Sequence, residues 1–267
     1  MISNKNNKKN DIIEFSTIES QCVYLPNERM RMRYKYIKNA SFSLNSKLTQ
    51  RGWRRFGEYY SRPFCKACSK CLSLRIDAQN FRFSKSVRRT FRKNKNTSIV
   101  LQKPSVSTHH LRLYEKYHKF MEKKKGWKYT PLSPAIYSEL YVQGHGDFGK
   151  EILYFHNFKL VGVDLIDICE DGISSIYFYY DPDFSKLSLG RYSIYQQILM
   201  AKKYNLKWIY LGYYVKECNS LNYKSSYTPY QILKGNPSLE EEPVWFYPPD
   251  QEEILKKIKA RNSPQAF

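Results

Sequence analysis

Residues 174–204, SSIYFYYDPDFSKLSLGRYSIYQQILMAKKY, and residues 208–224, WIYLGYYVKECNSLNYK, decide the fold. The aromatic run over 173–180 predicts a strand that stops at Asp181-Pro182. A loop then closes on Ser188-Leu189-Gly190. Tyr192, Tyr195, Gln196, Leu199 and Lys203 recur at three- and four-residue steps, which predicts a helix. From Trp208 to Leu211 runs a short set of β-forming side chains, halted by Gly212. Strand, crossover, strand is a piece of α/β core, and pattern alone says no more about function.

Working upstream, 151–156, 160–169 and 173–180 read as strands. Asn157-Phe158-Lys159 and Glu170-Asp171-Gly172 between them are turn chemistry, so the three form an antiparallel meander. In the middle strand Val161, Val163, Leu165 and Asp167 share one face, and a carboxylate continues an apolar row. Asp164 lies on the other face with Leu160, Ile166 and Ile168. An unpartnered buried carboxylate is costly, so Asp167 meets a cation, works at a site, or ends the strand in water. Of the two carboxylates, Asp167 is the one expected to act.

Cys65, Cys68 and Cys71 stand at successive three-residue intervals, with Cys22 alone upstream. Four thiolates so placed can converge on zinc or on an iron–sulfur cluster, and the ligand set does not separate the two. Cys169 and Cys218 read as core. Residues 72–76 read as a strand, and 81–96, FRFSKSVRRTFRKNKN, as a short helix capped by Ser84. Val87 and Phe91 would face inward, with Arg88 and Arg92 outward beside Lys85, Arg89 and Lys93, as a phosphate-contacting stripe or a solvated face. Arg54, Arg55 and Arg75, like Arg88 and Arg89, are candidates for a forked grip on a carboxylate. A polar linker over 99–107 suggests a domain boundary. Beyond it Leu111, Tyr114, Tyr117 and Met121 mark the buried stripe of a helix ending at Gly126, with His118 on the surface. Ser133-Pro134 opens a further helix. The expected units are a disordered tail over 1–12, a basic cysteine-containing domain over 13–103, a second domain over 104–247 and a tail over 248–267 that reads as a small helix or a frayed end.

The chain has 267 residues, and 45 Lys plus Arg against 24 Asp plus Glu leave a net charge of +21. A surplus of that size lies on the surface and favours phosphate-rich partners, unless an AT-rich genome alone inflates lysine. Aromatic residues make up 16%, 24 of them Tyr, and aromatics beside Arg and Lys suit the exposed end of an RNA. The same rings serve equally well as core. No apolar run reaches the length of a membrane span, and MISNKNNKKN is not a secretory signal, so a cytoplasmic protein is expected. Neither a phosphate-binding loop nor a serine–histidine triad signature is present.

The blocks DGISSIYFYYDP, SLG, YLGYY and NYK resemble, in order and spacing, the carboxy-terminal signature of the arginyl-tRNA–protein transferase family, in its short bacterial branch. SKSVRR at 84–89 and the cysteine set resemble its amino-terminal part. One departure is that Met121-Glu122 stand where the family usually has an Arg-His pair, which argues against an essential histidine in this helix. The resemblance implies an α+β chain: a small cysteine-containing domain, then an acetyltransferase-like (GNAT-type) domain with a mixed, largely antiparallel sheet. It implies transfer of leucine from leucyl-tRNA to proteins beginning with Asp or Glu, marking them for degradation; arginyl transfer is the alternative. An aminoacyl ester is already activated, so the chemistry requires no cofactor. On this basis Asp167 would orient or deprotonate the amine, with Tyr177 and Gln197 catalytic beside it. Ser188, Leu189, Gly190, Arg88, Arg89, Tyr213, Tyr223 and Lys224 would hold the donor, and Arg54, Arg55 and Arg75 the acidic acceptor. Two other classes stay open: an acyl-CoA-dependent small-molecule N-acyltransferase, and a non-catalytic RNA-binding module.

Overall fold

The computed structural model describes residues 12–262, so the expected amino-terminal tail lies outside the described residues except for Ile12. In chain order come β1 (Ile12–Ser16), the short pair β2 (Ser20–Gln21) and β3 (Arg29–Met30), β4 (Met32–Ile37), α1 (Phe42–Gln50), β5 (Arg54–Phe56) and β6 (Tyr59–Pro63). Next are β7 (Leu72–Asp77), α2 (Lys85–Lys93), β8 (Thr97–Gln102), α3 (Thr108–Lys125) and the short α4 (Pro134–Tyr137). The meander β9 (Gly149–His156), β10 (Lys159–Ile168) and β11 (Gly172–Tyr180) leads to α5 (Leu189–Lys203) and β12 (Trp208–Tyr214). Then follow β13 (Tyr230–Leu233), β14 (Trp245–Phe246) and α6 (Pro249–Asn262).

Local chemistry sets the helix starts. Ser84, Ser107 and Ser133 each accept a hydrogen bond from a backbone N–H of the first turn of α2, α3 and α4, relieving one orphan donor apiece. Gly126 ends α3 at φ 68°, a left-handed cap that glycine adopts without strain. At α5 the turn is made by Ser188 itself, at φ 56°.

A four-stranded sheet runs β1-β4-β6-β5, and an eight-stranded sheet runs β14-β13-β7-β12-β11-β10-β9-β8. Every neighbouring pair of the large sheet is antiparallel except β11 and β12, whose helical crossover returns the chain in the same direction. The expected mixed, largely antiparallel sheet is therefore present. Helix α5 packs on one face, where Tyr192, Ile194 and Ile198 join Ile152, Val161 and Ile173. On the opposite face α3 and α4 bring Tyr114, Tyr117 and Tyr137 against Leu153, Val163, Leu165 and Tyr179. The central strands are covered on both sides.

Two expectations are corrected, and of the two readings of the carboxy-terminal tail the helix is the one formed. Strand β7, from the supposed amino-terminal domain, lies between β12 and β13, and β8 forms an edge of the same sheet, so no boundary falls near residue 103. The tail after 247 is helix α6, anchored by buried Gln251 and Ile258. Residues 97–102 are strand rather than linker, because they complete the pairing of β9.

Candidate active site

Strands β11 and β12 pair at Gly172, Ile173 and Ser174 with Trp208, Ile209 and Tyr210, and then part. Arg54 of β5 fills the opening. Its guanidinium donates to the carbonyls of Ser175 and Ile176, the latter at 3.2 Å, and to Ser174 Oγ at 3.4 Å. Gly212 makes room: a Cβ there would meet Arg54 Nε at 2.5 Å, and its φ of +70° is itself a glycine conformation. Backbone acceptors left over by the splayed strands thus hold a cation, and among the described residues no carboxylate bonds to it, Asp167 acting on it only through space.

Above Arg54 opens a cleft of about 900 Å³, large enough for an amino acid esterified to a nucleoside. Ser188, Leu189, Gly190 and Arg191 bring the start of α5 to one wall, and Tyr213, Tyr223 and Lys224 form another. Phe56, Ile176, Phe178, Ile194 and Leu211 supply apolar lining, and Ser175 and Tyr177 supply hydroxyls. The cations Arg54, Arg191 and Lys224 line it, while among the described residues no Asp or Glu does. Lys224 is only 8% exposed; its ammonium donates to the Tyr213 carbonyl. Burial, reinforced by Arg54, pushes its pKa down to about 7.

The cleft therefore gathers Arg54, Tyr177, Ser188, Leu189, Gly190, Tyr213, Tyr223 and Lys224, as the sequence suggested. Asp167 is elsewhere. It is fully buried, and Arg55 grips it with two bonds, Nε to Oδ2 at 2.7 Å and Nη2 to Oδ1 at 2.6 Å. That pair removes Asp167 from the role of base and Arg55 from that of acceptor clamp, because each already saturates the other. Arg75 is likewise committed: it bonds Gln231 Oε1 and the Tyr210 hydroxyl and is sandwiched between Trp208 and Trp245. Gln197 is buried behind the cleft wall, where its amide donates to Ser175 Oγ at 3.2 Å and to Asp164 Oδ2 at 2.9 Å. Asp164, the carboxylate ranked second, is thus the one coupled to the cleft, and burial raises its pKa to about 7.

Arg88 and Arg89 do not reach the cleft. With Lys85 and Arg92 they surround a separate surface hollow on α2, whose Val87 is buried beneath. Cys71 has Cys22, Cys65, Cys68 and Cys218 around it, and burial together with those thiols pushes its pKa up to about 12. All six cysteines are free, and among the described residues no three His, Cys, Asp or Glu side chains gather closely enough to hold a metal ion. The four thiols of Cys22, Cys65, Cys68 and Cys71 share one neighbourhood, each of the other three close enough to Cys71 to act on its charge.

His118 stands against the cleft wall rather than on the surface where its sequence context placed it. Its ring stacks on Tyr114 at 3.7 Å, and its Nε2 lies 2.7 Å from the hydroxyl of Tyr177. A sequence signal for this exists: position 118 follows Tyr114 by four residues and so shares its inward stripe.

Two family sequence models match this chain. "Arginine-tRNA-protein transferase, N terminus" covers residues 20–89, and "Arginine-tRNA-protein transferase, C terminus" covers 109–234, together well over half of the chain. A protein named aspartate/glutamate leucyltransferase from Campylobacter jejuni serotype O:6 is 56% identical, over 87% of this chain and 98% of its own. Helicobacter hepaticus and Saccharophagus degradans proteins of that name are 42% and 33% identical, over 88% and 85% of this chain and 97% and 96% of theirs. Among solved structures, L-PGS from Bacillus licheniformis superposes with a TM-score of 0.37 at 14% identity, covering 62% of this chain and 48% of that one, too distant to bear on the site. No helix of the described residues is long and apolar enough to cross a membrane. With both halves matched and relatives above half identity, the chain belongs to the arginine-tRNA-protein transferase family.

Proposed function

We propose that this protein transfers leucine from leucyl-tRNA to the N-terminal Asp or Glu of other proteins, creating a degradation signal. The observation that carries this reading is the charge of the cleft: Arg54 and Arg191, with Lys224 about half protonated near pH 7, line it and, among the described residues, no carboxylate does. A neutral donor side chain and an acidic acceptor both suit such a cleft. An arginyl donor does not, since a guanidinium about 6 Å from one of these cations is disfavoured by about 3 kcal/mol at an effective dielectric near 20. That is roughly a hundredfold in rate, and among the described residues no carboxylate lines the cleft to offset it.

The aminoacyl ester already stores the driving force, so the site's task is to bring the acceptor amine to the ester carbonyl and to stabilise the oxyanion. Arg54 takes the acceptor's acidic side chain. Backbone N–H groups at the start of α5 take the terminal phosphate of the tRNA, in the manner of helix N-termini generally. Ser175, oriented by Gln197, donates its hydroxyl to the oxyanion. The basic face of α2, with Lys85, Arg88, Arg89 and Arg92, meets phosphates farther along the tRNA. The parallel pairing of β11 and β12 within an otherwise antiparallel sheet supports an acetyltransferase-like reading of the large sheet. Because the ester is already activated, the transfer step itself requires no zinc or iron–sulfur group at Cys22, Cys65, Cys68 and Cys71. The test offers purified protein labelled leucyl- or arginyl-tRNA with peptides beginning Asp, Glu, Lys or Ala. Mass spectrometry is expected to find leucine on the Asp and Glu peptides alone; arginine on them would overturn the donor assignment.

A further inference from the structure

His118 and Tyr177 are joined behind the cleft in a way that fixes where the proton sits. His118 Nδ1 lies 2.8 Å from the carbonyl oxygen of Tyr114. A carbonyl only accepts, so Nδ1 carries the hydrogen and Nε2 presents its lone pair. The Tyr177 hydroxyl, 2.7 Å away, therefore donates to Nε2. Its oxygen keeps its own lone pairs, and Tyr177 lines the cleft. The hydroxyl thus stands between the reaction space and a neutral imidazole.

We propose that Tyr177 and His118 form the proton relay of the transfer reaction, with Tyr177 receiving the proton of the attacking amine and His118 storing it. The acceptor's neutral amine bonds to the ester carbonyl carbon. One N–H proton passes to Tyr177 Oη as the tyrosine's own proton moves to His118 Nε2. The imidazolium then returns a proton along the same path to the ribose oxygen as its bond to the carbonyl carbon breaks. One amide and one ribose hydroxyl result, and both side chains end as they began.

The surroundings support this assignment. Every ring facing His118 is a tyrosine: Tyr114 and Tyr117 of its own helix, Tyr129 beyond it, and Tyr177 of β11. Burial among them lowers the His118 pKa below its usual value, so the imidazole is neutral at pH 7 and able to accept. Among the described residues the cleft lining offers no carboxylate to compete for the proton. Tyr141, stacked on Tyr177 at 5.4 Å and 11°, holds the tyrosine in place.

The inference rests on the leucyl-transfer reading, and one experiment separates the two. Single-turnover transfer from leucyl-tRNA to an Asp-peptide is measured for wild type, His118→Gln, Tyr177→Phe and the double variant across pH 4–9, a range that reaches below the lowered pKa of His118. Each single variant is expected to lose on the order of 10²- to 10⁴-fold in rate, the range of general acid–base assistance, with little change in acceptor KM. The double variant should be no slower than the worse single one, because either change breaks the same path. Wild type needs both amine and imidazole neutral, so its rate falls more steeply with acid than that of His118→Gln. Multiplying losses, or parallel pH profiles, would overturn the relay. If His118→Gln fails to fold, Tyr177→Phe keeps the ring stack, and near-normal transfer by it is an equally decisive refutation. A wild type that makes no leucyl-peptide refutes the transfer reading itself.

Discussion

Arg54→Gln changes what the cleft recognises more than whether the protein folds. Glutamine keeps an amide that can donate to the Ser175 or Ile176 carbonyl but removes the positive charge. An acceptor carboxylate about 4 Å from the guanidinium gains about 4 kcal/mol of Coulomb energy at an effective dielectric of 20. Desolvation of both groups leaves a net charge-assisted contact of about 1.5–3 kcal/mol. The ratio of kcat/KM for an Asp-peptide to that for its Asn counterpart should therefore fall roughly 10- to 150-fold in Arg54→Gln. Using a ratio cancels any general loss of cleft geometry, which slows both peptides alike. Arg54→Lys, which restores a charge without the fork, should recover part of the discrimination. Competition between the two peptides for limiting labelled leucyl-tRNA gives the ratio directly. An Asp-to-Asn ratio unchanged by Arg54→Gln would show that acceptor selection resides elsewhere.

Asp167→Asn leaves Arg55 buried without its counter-ion and should cost about 3–5 kcal/mol, read as a lower Tm, while transfer by the folded fraction persists. Arg55→Met with Asp167→Leu should return most of that loss, since apolar replacement of a buried pair is often neutral. Lys224 titrates near 7 in the fold but near 10.5 when unfolded. Between those values the unfolded chain binds more protons, so wild-type stability rises with pH through that window. Stability of Lys224→Met relative to wild type should correspondingly shrink, by up to about 1.4 kcal/mol per pH unit between 7 and 9 in denaturant titrations. Replacing Lys85, Arg88, Arg89 and Arg92 by Ala should weaken tRNA binding and flatten its salt dependence by about 0.7–0.9 for each phosphate that is no longer neutralised, measured by filter binding at several salt concentrations. Structure at α2 should survive, since Val87 and Thr90, its buried residues, are untouched.

The parts of the fold that announced themselves in sequence were those governed by neighbours along the chain. Ser84 and Ser133 cap their helices from within three residues, and the turns at 157 and 171 close a meander whose strands are adjacent in order. The choice between Asp164 and Asp167 failed for a different reason. Alternation assigns the two carboxylates to opposite faces of β10, but α5 closes over Asp164 and Arg55 of β5 over Asp167, so both are fully buried. What separates them is the partner. Arg55 stands 112 residues upstream of Asp167, and nothing local points to it. Arg75 looked available for the same reason, its tryptophan sandwich being assembled from β12 and β14 far along the chain. Resemblance supplied the activity; only three-dimensional placement showed that the cleft lacks a carboxylate lining and that His118 stands behind it.

Strand β7 is hydrogen-bonded on both sides, to β12 through Asp77, Ile76 and Arg75 and to β13 through Ile76, Arg75 and Leu74. A fragment starting at residue 104 would consequently lack an interior plank of its own sheet and leave two strands with raw edges. The two matched halves are thus not separable modules. Expressed apart, they should each aggregate or stay unfolded, and become soluble only when produced together, as an obligate pair reconstituted from one severed polypeptide.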